Sequence, residues 1–86
     1  MNPVDAYRLL SLELVAFRAL SYADLAQMIG QCHTRRAVGS DGTEYAIEIN
    51  VRWRDVPNGA IVVAGSIIED GGPEQPLENR FVVSPP

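Results

Sequence analysis

From Thr43 to Arg54 the chain alternates. Thr43, Tyr45, Ile47, Ile49, Val51 and Trp53 fall at every second position, with Glu44, Ala46, Glu48, Asn50, Arg52 and Arg54 between them. Successive side chains of a strand point to opposite faces, so this period of two predicts a strand over about 43–54 with one buried and one wet face. The β-branched and aromatic residues at the apolar positions suit a pleated, half-buried surface. Residues 60–68 are apolar on both sides, the pattern of a central strand, expected over about 60–69. Residues 31–38 alternate more weakly and are read as a first strand. Asp41-Gly42, between two strand-like runs, is a hairpin signal joining it to 43–54. A last strand is expected over about 79–84, ended by Pro85 and Pro86, which cannot donate to a ladder.

Val56-Pro57-Asn58-Gly59 reads as a type I turn, with Pro57 pre-set at its second position and Gly59 left-handed after it. A three-residue loop then sets Val56 opposite Ala60, Trp53 opposite Val63, Val51 opposite Gly65 and Ile49 opposite Ile67, with Gly65 leaving room beside Trp53. A two-residue Asn-Gly turn would put Val62, Ala64 and Ile68 on the core side instead, since one residue of slip inverts every face. The place it gives Pro57 favours the first register. Residues 71–76, Gly-Gly-Pro-Glu-Gln-Pro, are loop by composition.

The N-terminal third switches to a helical period. Asn2 is a capping residue, Pro3 suits the first helical position, and Asp5 complements the helix dipole. Val4, Tyr7, Leu10, Leu14 and Phe17 recur at spacings of three and four, and Leu9, Leu12 and Ala16 widen the stripe. Asp5, Arg8, Ser11, Val15 and Arg18 fall opposite. A helix over about 3–19 follows. Ser21 then caps a short helix over about 22–29, with Asp24 in the capping-box place, Leu20 and Leu25 as a staple, and Gly30 at the left-handed end. The fold expected is α+β: two N-terminal helices packed on one face of a three- to four-stranded antiparallel meander, ααββββ, in a single domain over 1–86.

Composition narrows function more by exclusion than by assignment. Eighty-six residues, 47% hydrophobic and 21% charged, make an ordinary small globular unit that buries roughly 60–65% of its unfolded surface. The net charge of −4 opposes the phosphate backbone, so nucleic acid is a disfavoured partner. All seven basic residues are arginine, which leaves no lysine for a Schiff base or a P-loop. The single cysteine, Cys32, allows neither an internal disulfide nor a thiolate zinc cluster. The opening Met-Asn-Pro-Val-Asp has no basic region ahead of an apolar run, and no run approaches the roughly 20 residues of a membrane span. A cytoplasmic address, no membrane and no cofactor are the default expectations.

Candidate chemistry is sparse. Cys32 and His33 are adjacent on a strand and point to opposite faces, which sets them apart as nucleophile and base. No ligand spacing announces a metal. The acids Asp41, Glu44, Asp55, Glu69 and Asp70 gather at strand ends and turns, where turn chemistry explains them. The wet face of the central hairpin is the main candidate surface: Glu48, Asn50, Arg52, Arg54 and Ser66, with Ser66 opposite Asn50, beside Val62, Ala64 and Ile68. Arginines there suit an anion or a carboxylate-bearing partner, and apolar neighbours suit a subunit contact. A non-enzymatic module that self-associates through its sheet, as a homodimer or with another protein, is therefore expected. An alternative is a small-ligand or enzymatic pocket between helices and sheet using Tyr7, Tyr22, His33 and Arg35. The run Ser21–Gly30 also resembles the first helix of a helix-turn-helix, which would imply a winged-helix-like DNA binder with Arg35 and Arg36 near the nucleic acid.

Overall fold

The computed structural model describes residues 2–72 and 75–86. The expected loop over 71–76 therefore includes two residues, Pro73 and Glu74, that lie outside the described set. Two helices, α1 (Pro3–Arg18) and α2 (Tyr22–Ala26), precede four strands, β1 (Cys32–Val38), β2 (Glu44–Trp53), β3 (Ile61–Glu69) and β4 (Leu77–Val83). The strands form one antiparallel sheet in the order β1-β2-β3-β4. No helix among the described residues is long and apolar enough to cross a membrane.

Both helices start where their caps place them. The Asn2 side chain accepts from the Asp5 amide at 3.3 Å, and Ser21 Oγ accepts from the Asp24 amide at 3.1 Å. The second helix is shorter than its pattern suggests. It ends at Ala26, turns bonded from Met28 N to Leu25 O and from Gln31 N to Met28 O follow, and Gly30 takes φ +85°.

The buried stripe of α1 is rotated from the one expected. Ala6, Leu10 and Leu14 are fully buried, whereas Val4, Tyr7, Leu12 and Val15 are exposed and Asp5 is buried. Apolar residues outnumber what one stripe of a helix can cover, so periodicity alone left the phase open. A polar anchor settles it. Asp5 Oδ2 accepts the Ser40 amide at 2.9 Å, and Oδ1 accepts Arg8 Nη2 at 2.7 Å, which turns this edge of the helix toward the β1–β2 turn.

The core joins Ala6, Leu10, Leu14 and Leu25 of the helices to odd-numbered positions of the sheet: Tyr45, Ile47, Ile49 and Val51 of β2, and Ile61, Val63 and Ile67 of β3. Gly65 lies in the same row series and makes the close approach possible. A Cβ there would stand 2.9 Å from Leu10 Cδ1 and 3.4 Å from Leu14 Cδ2. The space it leaves thus serves α1 rather than Trp53.

The register of β2 against β3 is displaced by two residues from the expected one. Trp53 pairs with Ile61, Val51 with Val63, Ile49 with Gly65 and Glu48 with Ser66. Arg54, not Val56, donates to Ala60 O, at 2.8 Å. The turn explains the shift: Gly59 N bonds Val56 O at 3.1 Å with the left-handed residue at Asn58 (φ 68°), as in a type II turn, so the chain reverses within a longer loop. An even displacement leaves every side chain on its expected face.

Candidate functional site

The even-numbered positions make the second face of the sheet. Pairing sets them in rows: Arg52–Val62–Val82; Cys32–Asn50–Ala64–Arg80; Thr34–Glu48–Ser66–Glu78; and Arg36–Ala46–Ile68. Glu48, Asn50, Arg52, Glu78 and Arg80 are exposed there, while Ala46, Ala64, Ser66 and Ile68 are half-buried beneath them. Small side chains in the middle of β3 and long ones on β2 and β4 produce a trough of about 660 Å³, lined by Asn50, Arg52, Ala64, Ser66, Glu78 and Arg80 with Gly65 and Asn79.

Its electrostatics follow from which arginines are already engaged. Arg8 binds Asp5, Arg35 reaches Glu13 at 3.3 Å, Arg36 binds Asp70, and Arg54 stands 3.8 Å from Asp55. Arg18 lies over the Phe81 ring at 4.4 Å. Among the described residues, the guanidinium groups of Arg52 and Arg80 make no ion pair or side-chain hydrogen bond, and both stand on the trough. Glu48, one row away, accepts from Cys32 Sγ at 3.3 Å, and that bond, with burial and the carboxylate charge, pushes the Cys32 thiol up.

The structure brings Asn50, Arg52 and Ser66 to the trough, with Glu48 on the row of Ser66. Ala64, not Ser66, faces Asn50. Arg54 lies past the end of β2 against Asp55 and does not line the trough. Glu78 falls outside the expected strand, which starts at Asn79, whereas Arg80 lies inside it and was missed because no register joined that strand to β3. Extending the alternation of Asn79, Phe81 and Val83 back to Leu77 places Glu78, Arg80 and Val82 on the wet face, so the signal was present.

Tyr7, Tyr22, His33 and Arg35 do not share a cavity. His33 and Arg35 line a smaller one, about 220 Å³, with Glu13, Phe17, Thr34, Ile47 and Ile49. His33 packs its ring edge-on to Phe17 at 5.5 Å, and its buried Nε2 has no hydrogen-bond partner among the described residues. Tyr22 is elsewhere, donating to Gly59 O at 2.7 Å, and Tyr7 is exposed on α1. The helix-turn-helix pattern is not completed either: after Gly30 the chain enters β1, so no second helix follows. The described residues contain no group of three or more His, Cys, Asp or Glu placed to hold a metal ion. Asp41 serves the turn, its Oδ1 accepting the Thr43 amide at 3.0 Å, a bond that holds its carboxyl below the usual range.

Comparison with known proteins gives no match to a family model, to a curated protein or to a solved structure.

Proposed function

We propose that the chain is a non-enzymatic interaction module, one domain over 1–86, that self-associates through the even-numbered face of its sheet. In this reading both helices cover the odd-numbered face, and a second copy covers the other. One observation carries it: Arg52 and Arg80, which make no ion pair or side-chain hydrogen bond among the described residues, stand on a face that also presents the carboxylates of Glu48 and Glu78 and the apolar Val82 and Ile68. A surface with both charges and apolar area is self-complementary, which is what a two-fold homodimer needs. A lone exposed thiol such as Cys32 stays reduced in the cytoplasm, the compartment we assign.

The expected contact is small. Four strands at about 4.8 Å and four same-face rows at about 6.8 Å span roughly 500 Å² per copy. About 1,000 Å² in total is the lower limit of a specific interface, so a weak, concentration-dependent dimer follows. Light scattering across about 10 μM to 1 mM, a range that brackets such an interface, should show the mass rising toward the dimer. Ala64→Arg, planted on the trough floor, should hold the protein monomeric with an unchanged unfolding temperature. A wild-type monomer throughout that range refutes the proposal.

A second reading rests on His33 Nε2, which is buried without a hydrogen-bond partner among the described residues. A small ligand with a hydrogen-bonding group and an apolar body would fill the cavity between Phe17, Ile47 and Ile49. Stabilisation by such a ligand, lost in His33→Ala, would favour it over self-association.

A further inference from the structure

Resting on the self-association reading, we infer the orientation of the second copy: its two-fold axis runs across the strands, over Gly65, so that Arg80 of each copy meets Glu78 of the other. The argument is one of charge and register. A face-to-face pair of sheets related by a two-fold has its axis in the plane between them, and two simple placements centre on the trough.

With the axis along β3, the β2 side of one copy faces the β4 side of the other. Residues of one row then meet across the interface, which sets Glu48 against Glu78 and Arg80 against Asn50. Two like-charged contacts form, and both arginines stay unpaired. With the axis across the strands, each element faces itself with its direction reversed about Gly65. Arg80 then meets Glu78, and by symmetry Glu78 meets Arg80. Ala64 meets Ser66, and Glu48 meets Asn50. Opposite charges coincide, and small meets small. This placement also gives a carboxylate to Arg80, whose guanidinium makes no ion pair among the described residues.

The geometry tolerates the natural twist. Packed sheets lie about 30° apart, so the axis tilts by about half of that from the perpendicular. At β4, one strand of about 4.8 Å from the centre, partners slip by roughly 2–3 Å, within the reach of an arginine side chain. The small floor at Ala64 and Ser66 lets the long Arg80 and Glu78 side chains lie across the trough rather than hold the sheets apart.

The test is a charge-reversal cycle read by sedimentation equilibrium on the full chain. Arg80→Glu and Glu78→Arg each place like charges together twice and should weaken association at least tenfold. The double variant E78R/R80E restores the pairing and should return to within about threefold of wild type. Glu48→Arg distinguishes the two axes: it leaves association unchanged or weaker here, and tightens it if Glu48 faces Glu78. A double variant no tighter than the singles, or a tighter E48R, overturns this orientation while leaving self-association standing. A wild type that never associates removes the underlying reading as well. Circular dichroism on each variant confirms that these exposed positions have not disturbed the fold.

Discussion

Asp5 and Ser40, 35 residues apart, are joined by one hydrogen bond: the Ser40 amide donates to Asp5 Oδ2 at 2.9 Å. This bond fastens the first turn of α1 to the β1–β2 turn and fixes which side of the helix is buried. The fit is tight on both sides, since a Cβ on Gly39 would stand 2.5 Å from the same oxygen and 3.1 Å from Tyr45 Cε2. A buried carboxylate needs such partners, because an unpaired one would be neutralised or expelled.

Acid should therefore loosen the domain through Asp5. Arg8 first, and the Ser40 amide second, hold its carboxyl below the ordinary value. A carboxyl depressed in the folded state contributes stability that is complete above its unfolded pKa, about 3.9, and lost as pH falls through the lower folded value. Asp5→Asn should unfold at a lower temperature than wild type at pH 7, with a narrower gap at a pH below the unfolded value of about 3.9. Thermal unfolding followed by circular dichroism at both pH values measures it. A gap that is the same at both would show that the charge of Asp5 contributes nothing.

Gly65 and Leu10 should be energetically coupled. Leu10→Ala opens a cavity under a fully buried position, at a cost of about 2–5 kcal/mol. Gly65→Ala gains about 0.4–1 kcal/mol through the unfolded chain. Against that, it drives a methyl to 2.9 Å from Leu10 Cδ1, overpacking that costs about 1–3 kcal/mol. The clash outweighs the gain because Leu10 has no solvent to move into. The double variant should then lose less than the sum of the singles, by urea unfolding. Additive losses would mean that α1 does not rest on Gly65.

Most of this architecture was legible because it rests on local chemistry. The alternation through Tyr45–Trp53, the caps at Asn2 and Ser21 and the left-handed Gly30 each act within a few residues. What escaped depends on distance. The phase of α1 is set by Ser40, and the β2–β3 register by a loop whose left-handed residue is Asn58 rather than Gly59. The face of the trough was readable, because a two-residue shift preserves parity. On its β4 wall, Glu78 was lost with the start of that strand and Arg80 with the unassigned pairing of β4 to β3.

Glu48 should restrain the one thiol. Cys32 is exposed, yet its hydrogen bond to Glu48, then burial and the carboxylate charge, raise its pKa. Since the thiolate is the nucleophile, alkylation is slowed. Glu48→Ala removes the bond and the charge together, while Glu48→Gln removes the charge and keeps an acceptor. Iodoacetamide at pH 8 should react fastest with the alanine variant, by several-fold over wild type, with the glutamine variant between them. Equal rates for all three would detach Glu48 from the reactivity of Cys32.

Tyr22 should act locally on the turn that sets the β2–β3 register. Its hydroxyl donates to Gly59 O at 2.7 Å, a contact between α2 and residues 37 positions away. Tyr22→Phe keeps the ring against the core and removes only that donor, so about 0.5–1.5 kcal/mol should be lost. The urea midpoint should fall with the slope unchanged, because the same surface is exposed on unfolding. Hydrogen exchange should quicken at Gly59, bonded to Val56 O, and at Arg54, bonded to Ala60 O, while Val51 in the body of the sheet keeps its protection. Acceleration spread evenly across the sheet would show instead that the hydroxyl supports global stability and that the turn holds its form without α2.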